Sequence, residues 1–209
     1  MSRIIAGIAG GVPLAAVPGS ATRPTTDRVK EALFSRLDAL GMVQHARVLD
    51  LYAGSGALGV EAASRGASTV ELVESEVKAA QVCERNARTV NDAVSRRAVT
   101  VRRSKVSSFL ERVPPGPHWD LVLMDPPYPL GEGALAAVLA ALAPRLAPDA
   151  IVVVERSSRS PEPDWPDGLV RYGDKKYGET RLWFAEPAPV ASAPAASSSA
   201  LGGDAAEGA

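Results

Sequence analysis

Along this chain, short apolar runs alternate with helix-like segments. "RVLDL" (Arg47 to Leu51), "VELVE" (Val70 to Glu74), "AVTVRR" (Ala98 to Arg103), "DLVLMD" (Asp120 to Asp125) and "AIVVVE" (Ala150 to Glu155) are rich in branched apolar residues. Continuous runs of this kind suit strands covered on both faces, and their alternation with helical patterns predicts a mostly parallel sheet in a doubly wound α/β fold. Two further runs, Leu169 to Tyr172 and Thr180 to Ala185, are expected to close the sheet as a hairpin and bring it to seven strands. Ahead of them all, "RPTTDRVKEALFSRLDAL" reads as a helix. Thr26 or Asp27 can cap it, and Val29, Leu33, Leu37 and Leu40 recur on one face.

The two ends follow other patterns. "MSRIIAGIAGGVPLAAVPGSA" superficially resembles a secretion signal, but Gly7, Gly10, Gly11, Pro13 and Pro18 break its apolar stretch. A β-hairpin turning near Gly10 and Gly11 explains it better. Beyond Glu186 the chain is almost entirely Ala, Ser, Pro and Gly, too little apolar surface to offset its ordering entropy. We therefore expect a hairpin-and-helix extension over residues 1–44, a main domain over 45–185 and a disordered tail over 186–209. No run of about 18 apolar residues occurs, which predicts a soluble, cytoplasmic protein without a membrane partner.

Composition adds limits rather than direction. With 209 residues and 46% hydrophobic content, one sizeable core is the simplest expectation. Glu186, Asp204 and Glu207 are the charges of the last 25 residues, so the body before them is mildly basic, with 23 Lys and Arg against 21 acids. That balance does not by itself announce nucleic acid. Two local groups stand out: Arg96, Arg97, Arg102, Arg103 and Lys105, then Arg171, Lys175, Lys176 and Arg181. Cys83 is the only cysteine, and His45 and His118 are the only histidines, so neither an intrachain disulfide nor a metal centre is expected.

The chemistry begins in "VLDLYAGSGALGVE", Val48 to Glu61. Gly54, Gly56 and Gly59 match the spacing that holds a dinucleotide pyrophosphate, and Glu74 follows at the distance of a ribose-binding carboxylate. Yet Asp50 sits on the strand feeding the loop, and a carboxylate beside a pyrophosphate costs binding energy. In a doubly wound sheet the ligand lies beyond the carboxyl ends of the strands. Asp50, Glu74 and Asp125 all fall there. Three carboxylates around one crevice suit a ligand with a sulfonium, an ammonium and a ribose diol, which together describe S-adenosylmethionine. On this reading the loop Tyr52, Ala53, Gly54, Ser55 and Gly56 receives the methionine part, with Gly54 and Gly56 allowing close backbone approach. Asp50 offsets positive charge, and Glu74 accepts the ribose hydroxyls.

"DPPY", Asp125 to Tyr128, decides the reaction class. Asp125 and Pro126 each precede a proline and are pushed toward extended backbone, and neither Pro126 nor Pro127 can donate to a ladder. The strand must stop there. The Asp125 carboxylate and Pro126 carbonyl then offer two acceptors to an exocyclic amine, and Tyr128 offers a face on which its ring stacks.

"RPTTDRVKEALFSRL", "VLDLYAGSGALGVEAASRGA", "DLVLMDPPY" and "KKYGETRLWF" resemble, in that order, the RsmD family of bacterial 16S ribosomal RNA guanine-N2 methyltransferases, from about Arg3 to Phe184. The resemblance implies a Rossmann-like class I fold and a monomeric, S-adenosylmethionine-dependent enzyme acting on one guanine amine of small-subunit RNA or particles. It also marks Arg23, Arg28 and Lys30, at the entrance of the first helix, as a grip on RNA phosphates. Two departures matter. Ser104, Lys105 and Val106 stand where the family commonly has Gly-Asp-Ala, so a carboxylate near the adenine is missing. The N-terminal turn, often basic in relatives, is here "GGVPLAAVPG". An N6-adenine DNA methyltransferase, a nicotinamide-dependent oxidoreductase and a non-catalytic RNA-binding module are the competing readings.

Overall fold

The computed structural model describes residues 2–18, 26–127 and 130–189. Arg23, Tyr128 and the expected tail beyond residue 189 lie outside the described residues. The first helix, α1, spans Asp27–Ala39, and the Thr26 side chain accepts the Val29 N–H at 3.3 Å as its cap. Its buried side chains Val29, Leu33, Phe34 and Leu37 form one stripe.

Strands and helices then alternate: β1 Arg47–Leu51, α2 Ala57–Ser64, β2 Thr69–Glu74, α3 Val77–Ala93, β3 Val99–Arg103, α4 Val106–Arg112, β4 Trp119–Met124 and α5 Glu132–Leu142. A 3-10 turn leads into β5 Leu146–Ser157, and β6 Leu169–Tyr177 and β7 Thr180–Pro187 complete the chain's regular structure. The seven strands lie in the order β3-β2-β1-β4-β5-β7-β6, all parallel except β7, which runs antiparallel to both β5 and β6. The predicted strands are therefore present, and the apolar runs of the inner strands β1, β2, β4 and β5 are covered on both faces, while β3 and β6 form the two edges. Val48, Leu72, Leu123 and Val153 pack on one face with α1, α2 and α3, while Leu49, Val73, Val122 and Val152 pack on the other with α4 and α5. Strand β5 begins earlier than its apolar run suggests, because its pairing with β4 shifts register between Trp119 and Leu121, near Pro148, which has no N–H to donate.

The N-terminal segment turns back on itself near Gly10 and Gly11, with one antiparallel bridge in place of two regular strands. A single antiparallel bridge joins Arg3 and Pro13, and the chain between them turns through Gly7 and Gly11, both at positive φ. The two arms exchange backbone bonds, Ile4 N–H to the Val12 carbonyl at 2.9 Å and Leu14 N–H to the Ser2 carbonyl at 2.8 Å, and the turn between them docks on α2: Ile5 and Ala6 N–H to the Glu61 carboxylate, Ile8 N–H to the Ser64 carbonyl and Ala9 N–H to Ser64 Oγ. Gly7 approaches Ser64 so closely that a Cβ there would lie 2.0 Å from its carbonyl oxygen. Ile4, Ala9 and Leu14 share one core with α1, α2 and the sheet.

Candidate active site

The strand order reverses between β1 and β4, so the crevice lies at their carboxyl ends. Val48, Leu72, Leu123 and Val153 belong to the same core face, and side chains alternate along a strand. Two residues further along each strand stand Asp50, Glu74, Asp125 and Glu155. Four carboxylates from β2, β1, β4 and β5 thus stand at the carboxyl ends on one sheet face, Glu74 and Asp125 at the crevice and Asp50 and Glu155 buried beside them. Asp50, Glu74 and Asp125 are legible from the sequence; the fourth, Glu155, closes "AIVVVE" just as the other three runs end on or near an acid.

Each carboxylate is held differently. Glu74 accepts the Gly54 N–H at 2.8 Å with one oxygen and the Glu76 N–H at 2.7 Å with the other, which ties the glycine loop to the end of β2. Asp50 is 1% exposed and accepts the Gly59 N–H at 2.9 Å. It lies beneath the loop, not at its surface, so its charge acts through the loop rather than by direct contact. Burial, and secondarily the Glu74 charge, push its pKa up to about 7 against the opposing Gly59 N–H. Asp125 is partly exposed just past β4. Burial first, then the neighbouring Glu155 and Asp50 charges, raise its pKa well above the usual carboxylate range, while Arg156 opposes them.

The glycines divide the labour of the loop. Gly54 has φ +57, and a Cβ there would meet only the Tyr52 carbonyl oxygen at 4.0 Å, so packing does not explain this glycine and its backbone is free to meet a ligand. Gly56, also expected at the ligand, is needed for packing: with φ +78, a Cβ would lie 2.9 Å from both Cys83 Sγ and Leu72 Cδ1. At Gly59 a Cβ would lie 2.1 Å from Leu72 Cδ2, so α2 can press against β2 only without a side chain there. Tyr52 takes φ +62, a backbone conformation unusual for a non-glycine, and packs half-buried against the second core face. Ala53 N–H bonds the Val73 carbonyl at 3.0 Å. The Ser55 carbonyl accepts from Asn86 Nδ2 at 2.8 Å, and the same amide group exchanges two bonds with the Ala15 backbone. Asn86 therefore fastens both the N-terminal segment and the glycine loop to α3. A lone asparagine inside a helix carried no such signal in the sequence.

Past β4, Pro126 is buried, Pro127 is exposed, and the Pro127 carbonyl accepts the Leu130 N–H at 2.9 Å. Arg156, at the end of β5, pairs with Glu132 and reaches the Leu130 carbonyl with both terminal nitrogens at 3.4 Å. It anchors the far side of the Asp125 turn. Of the residues expected to grip phosphates, Arg28 is exposed, but Lys30 is not available. Its side chain is 1% exposed, donates to the Arg3 carbonyl and faces Glu61 at 3.8 Å. The helix turns Lys30 onto the same stripe as Val29 and Leu33, where its ammonium is neutralised inside the protein. A groove of about 770 Å³ between α3 and β3, lined by Arg88, Arg96 and Arg97 among others, lies at the amino end of β3, away from this crevice.

The raised Asp50 makes stability depend on pH. Below about pH 4 its carboxyl is protonated in both folded and unfolded chains; between about 4 and 7 the unfolded chain alone releases the proton, so stability falls as pH rises through that window. Asp50→Asn keeps an acceptor for Gly59 and removes that titration. Urea unfolding from pH 5 to 8 should show a flatter stability profile in the variant, and an unaltered slope would place the titration elsewhere.

A 3-2-1-4-5-7-6 sheet with a glycine loop after β1 and an acidic rim at the strand ends defines a Rossmann-like methyltransferase domain. The solved structure of Escherichia coli yhhF superposes with a TM-score of 0.74 at 32% identity, covering 88% of this chain and 97% of that one. Residues 2–186 match the family described as conserved hypothetical protein 95. The chain is 35% identical over 159 residues to ribosomal RNA small subunit methyltransferase D of Haemophilus influenzae, covering 76% of this chain and 80% of the relative. It is 34% identical over 179 residues to the protein of the same name from Escherichia coli, covering 85% of each. The chain belongs to the RsmD family. Among the described residues no helix is long and apolar enough to cross a membrane.

Proposed function

We propose that this chain transfers a methyl group from S-adenosylmethionine to the exocyclic N2 amine of a guanine in 16S ribosomal RNA of the small subunit. The observation that carries the reading is the acidic rim beside the open Gly54 backbone. Its negative charge favours a cationic ligand and opposes a pyrophosphate, which argues against the nicotinamide alternative. Family membership supports ribosomal RNA as substrate; guanine N2 rests on the resemblance of the R-P-T-T-D-R-V and Y-G-E-T segments.

The donor set fits the cofactor. Glu74 would accept the ribose hydroxyls, the loop Tyr52 to Gly56 would face the methionine part, and Asp50 supplies negative potential from below. When bound, the cofactor supplies an electrophilic methyl group on a cationic sulfur. Toward the substrate, the Asp125 carboxylate and Pro126 carbonyl accept the two N–H groups of the amine and fix its nitrogen, with Tyr128 as the stacking face. The rim carboxylates stabilise the positive charge that the nitrogen acquires. A proton then passes from nitrogen to an Asp125 oxygen while nitrogen keeps the electron pair. Burial and the Glu155 charge favour that transfer. A guanine inside structured RNA must leave its stack to reach this pocket. The chain is proposed to act as a monomer in the cytoplasm.

The test is labelled methyl transfer to small subunits from a methyltransferase-deficient strain, followed by nucleoside analysis. N2-methylguanosine is expected. N6-methyladenosine, or transfer to DNA only, overturns the substrate assignment, and no transfer to any nucleic acid overturns the enzyme reading. At the cofactor end, Glu74→Ala should weaken S-adenosylmethionine binding by about 1.5 to 3 kcal/mol, the worth of a hydrogen bond to a charged group. An unchanged dissociation constant by calorimetry removes Glu74 from the site.

A further inference from the structure

We propose that the β6–β7 hairpin is a phosphate-binding surface for the RNA substrate, with Lys175 holding a phosphate close to the extruded base. This rests on the RNA reading above and adds the surface that presents the base to Asp125.

Strand register supplies the placement. Met124 pairs with Val154, which sets Asp125 beside Glu155; Glu155 pairs with Leu182, and Leu182 pairs with Lys175. One row of the sheet therefore runs Asp125, Glu155, Leu182, Lys175. Residues directly opposite on paired strands share a face. Leu182 belongs to the core face that ends in the acidic rim, and Tyr177, two residues past Lys175, packs partly against that same core. Lys175 is exposed. Three strand spacings of about 4.8 Å put it roughly 14 Å from Asp125 along the row.

Local charge pairing leaves this lysine available. Arg171 is taken up by Glu162 and Asp174, Arg181 by Asp174, and Arg159 by Glu179. Lys175 and its neighbour Lys176 have no carboxylate partner among the described residues. The turn joining β6 to β7 also stands at the right end of the sheet. Tyr177 pairs with Thr180, and Thr180 pairs with Ser157 at the carboxyl end of β5. A polyanion whose base enters at Asp125 meets the acidic strand ends around that residue, and an ammonium in the same row, beyond them, gives its backbone an attractive seat. Glu74 and the glycine loop lie on the other side of β1, which leaves the β5, β7 and β6 side for the RNA.

The experiment measures binding of the full chain to small ribosomal subunits from a methyltransferase-deficient strain over a range of salt. Lys175→Ala should weaken binding and flatten the dependence of log affinity on log salt by roughly 0.7, the loss of about one phosphate contact to single-stranded RNA. Lys175→Arg should restore the slope. S-adenosylmethionine affinity and melting temperature should match the wild type, because the side chain is exposed. Wild-type affinity and slope in Lys175→Ala overturn this surface while leaving the methyltransferase reading intact. Failure of the wild-type chain both to bind small subunits and to methylate their RNA overturns the RNA reading, and this surface with it. Equal binding to duplex DNA of any sequence, with the same loss in Lys175→Ala, overturns RNA as the partner.

Discussion

Asp125→Ala should lower the rate of methyl transfer by at least about a hundredfold while leaving S-adenosylmethionine affinity nearly unchanged. The carboxylate is placed at the reacting nitrogen, and removing one preorganised group at a centre where charge develops costs about 10²–10³ in rate. Glu74 and the glycine loop, which are assigned to the cofactor, do not bond Asp125; Glu74 is tied to Gly54 and Glu76. A rate near that of the wild type would remove Asp125 from the reaction, and a parallel loss of cofactor affinity would move it to the cofactor site.

The same carboxylate shapes the pH profile. Burial, Glu155 and Asp50 all favour its protonated form, and Arg156 opposes them. Asp125 must be ionised to accept the amine's proton. The rate should therefore rise with pH along an acid limb above the usual carboxylate range, and removing a neighbouring negative charge should move that limb to lower pH. Glu155→Gln supplies the comparison: a shifted limb ties Glu155 to Asp125, whereas a uniform drop at every pH indicates a structural role.

How far the sequence foretold this arrangement depends on the range of the interactions involved. Strand identity was legible because apolar runs such as Val48 to Leu51 and Leu121 to Met124 report burial directly, and the Thr26 cap follows from local chemistry. Asp50, Glu74 and Asp125 could be brought together because a parallel sheet places its carboxyl ends side by side. What one residue does for another across 30 or 70 positions was not legible. Asn86 reaches Ala15 and Ser55 through the fold alone. Lys30 looked like a surface cation because charge run and position near Arg28 say nothing about Glu61, 31 residues away. Gly56 and Gly59 share a motif with Gly54, yet only the neighbours Cys83 and Leu72 reveal that they serve packing.

Glu61→Ala should destabilise the fold more than any change at the chain's surface, by about 3–5 kcal/mol, the usual loss when a buried charge is left without its partner. Glu61 is fully buried and accepts from Ile5 N–H at 2.7 Å, Ala6 N–H at 3.0 Å and Arg65 Nε at 2.8 Å, with Lys30 Nζ at 3.8 Å. One carboxylate thus joins the N-terminal segment, α1 and α2. Truncating it strands two backbone donors and leaves the Lys30 ammonium in an interior where burial already depresses its pKa, with the remaining help of Asp27 at 3.9 Å. Lys30→Met should cost less, because Glu61 retains Arg65 and both amides and only the Arg3 carbonyl loses a donor. The double variant Glu61→Ala with Lys30→Met should then be less destabilised than the two single losses added together, since the stranded ammonium is gone. Urea unfolding of the four proteins closes the cycle. Strict additivity would show that Lys30 and Glu61 are not coupled, and a Glu61→Ala variant within about 0.5 kcal/mol of the wild type would show that this carboxylate does not hold the N-terminal segment to α2.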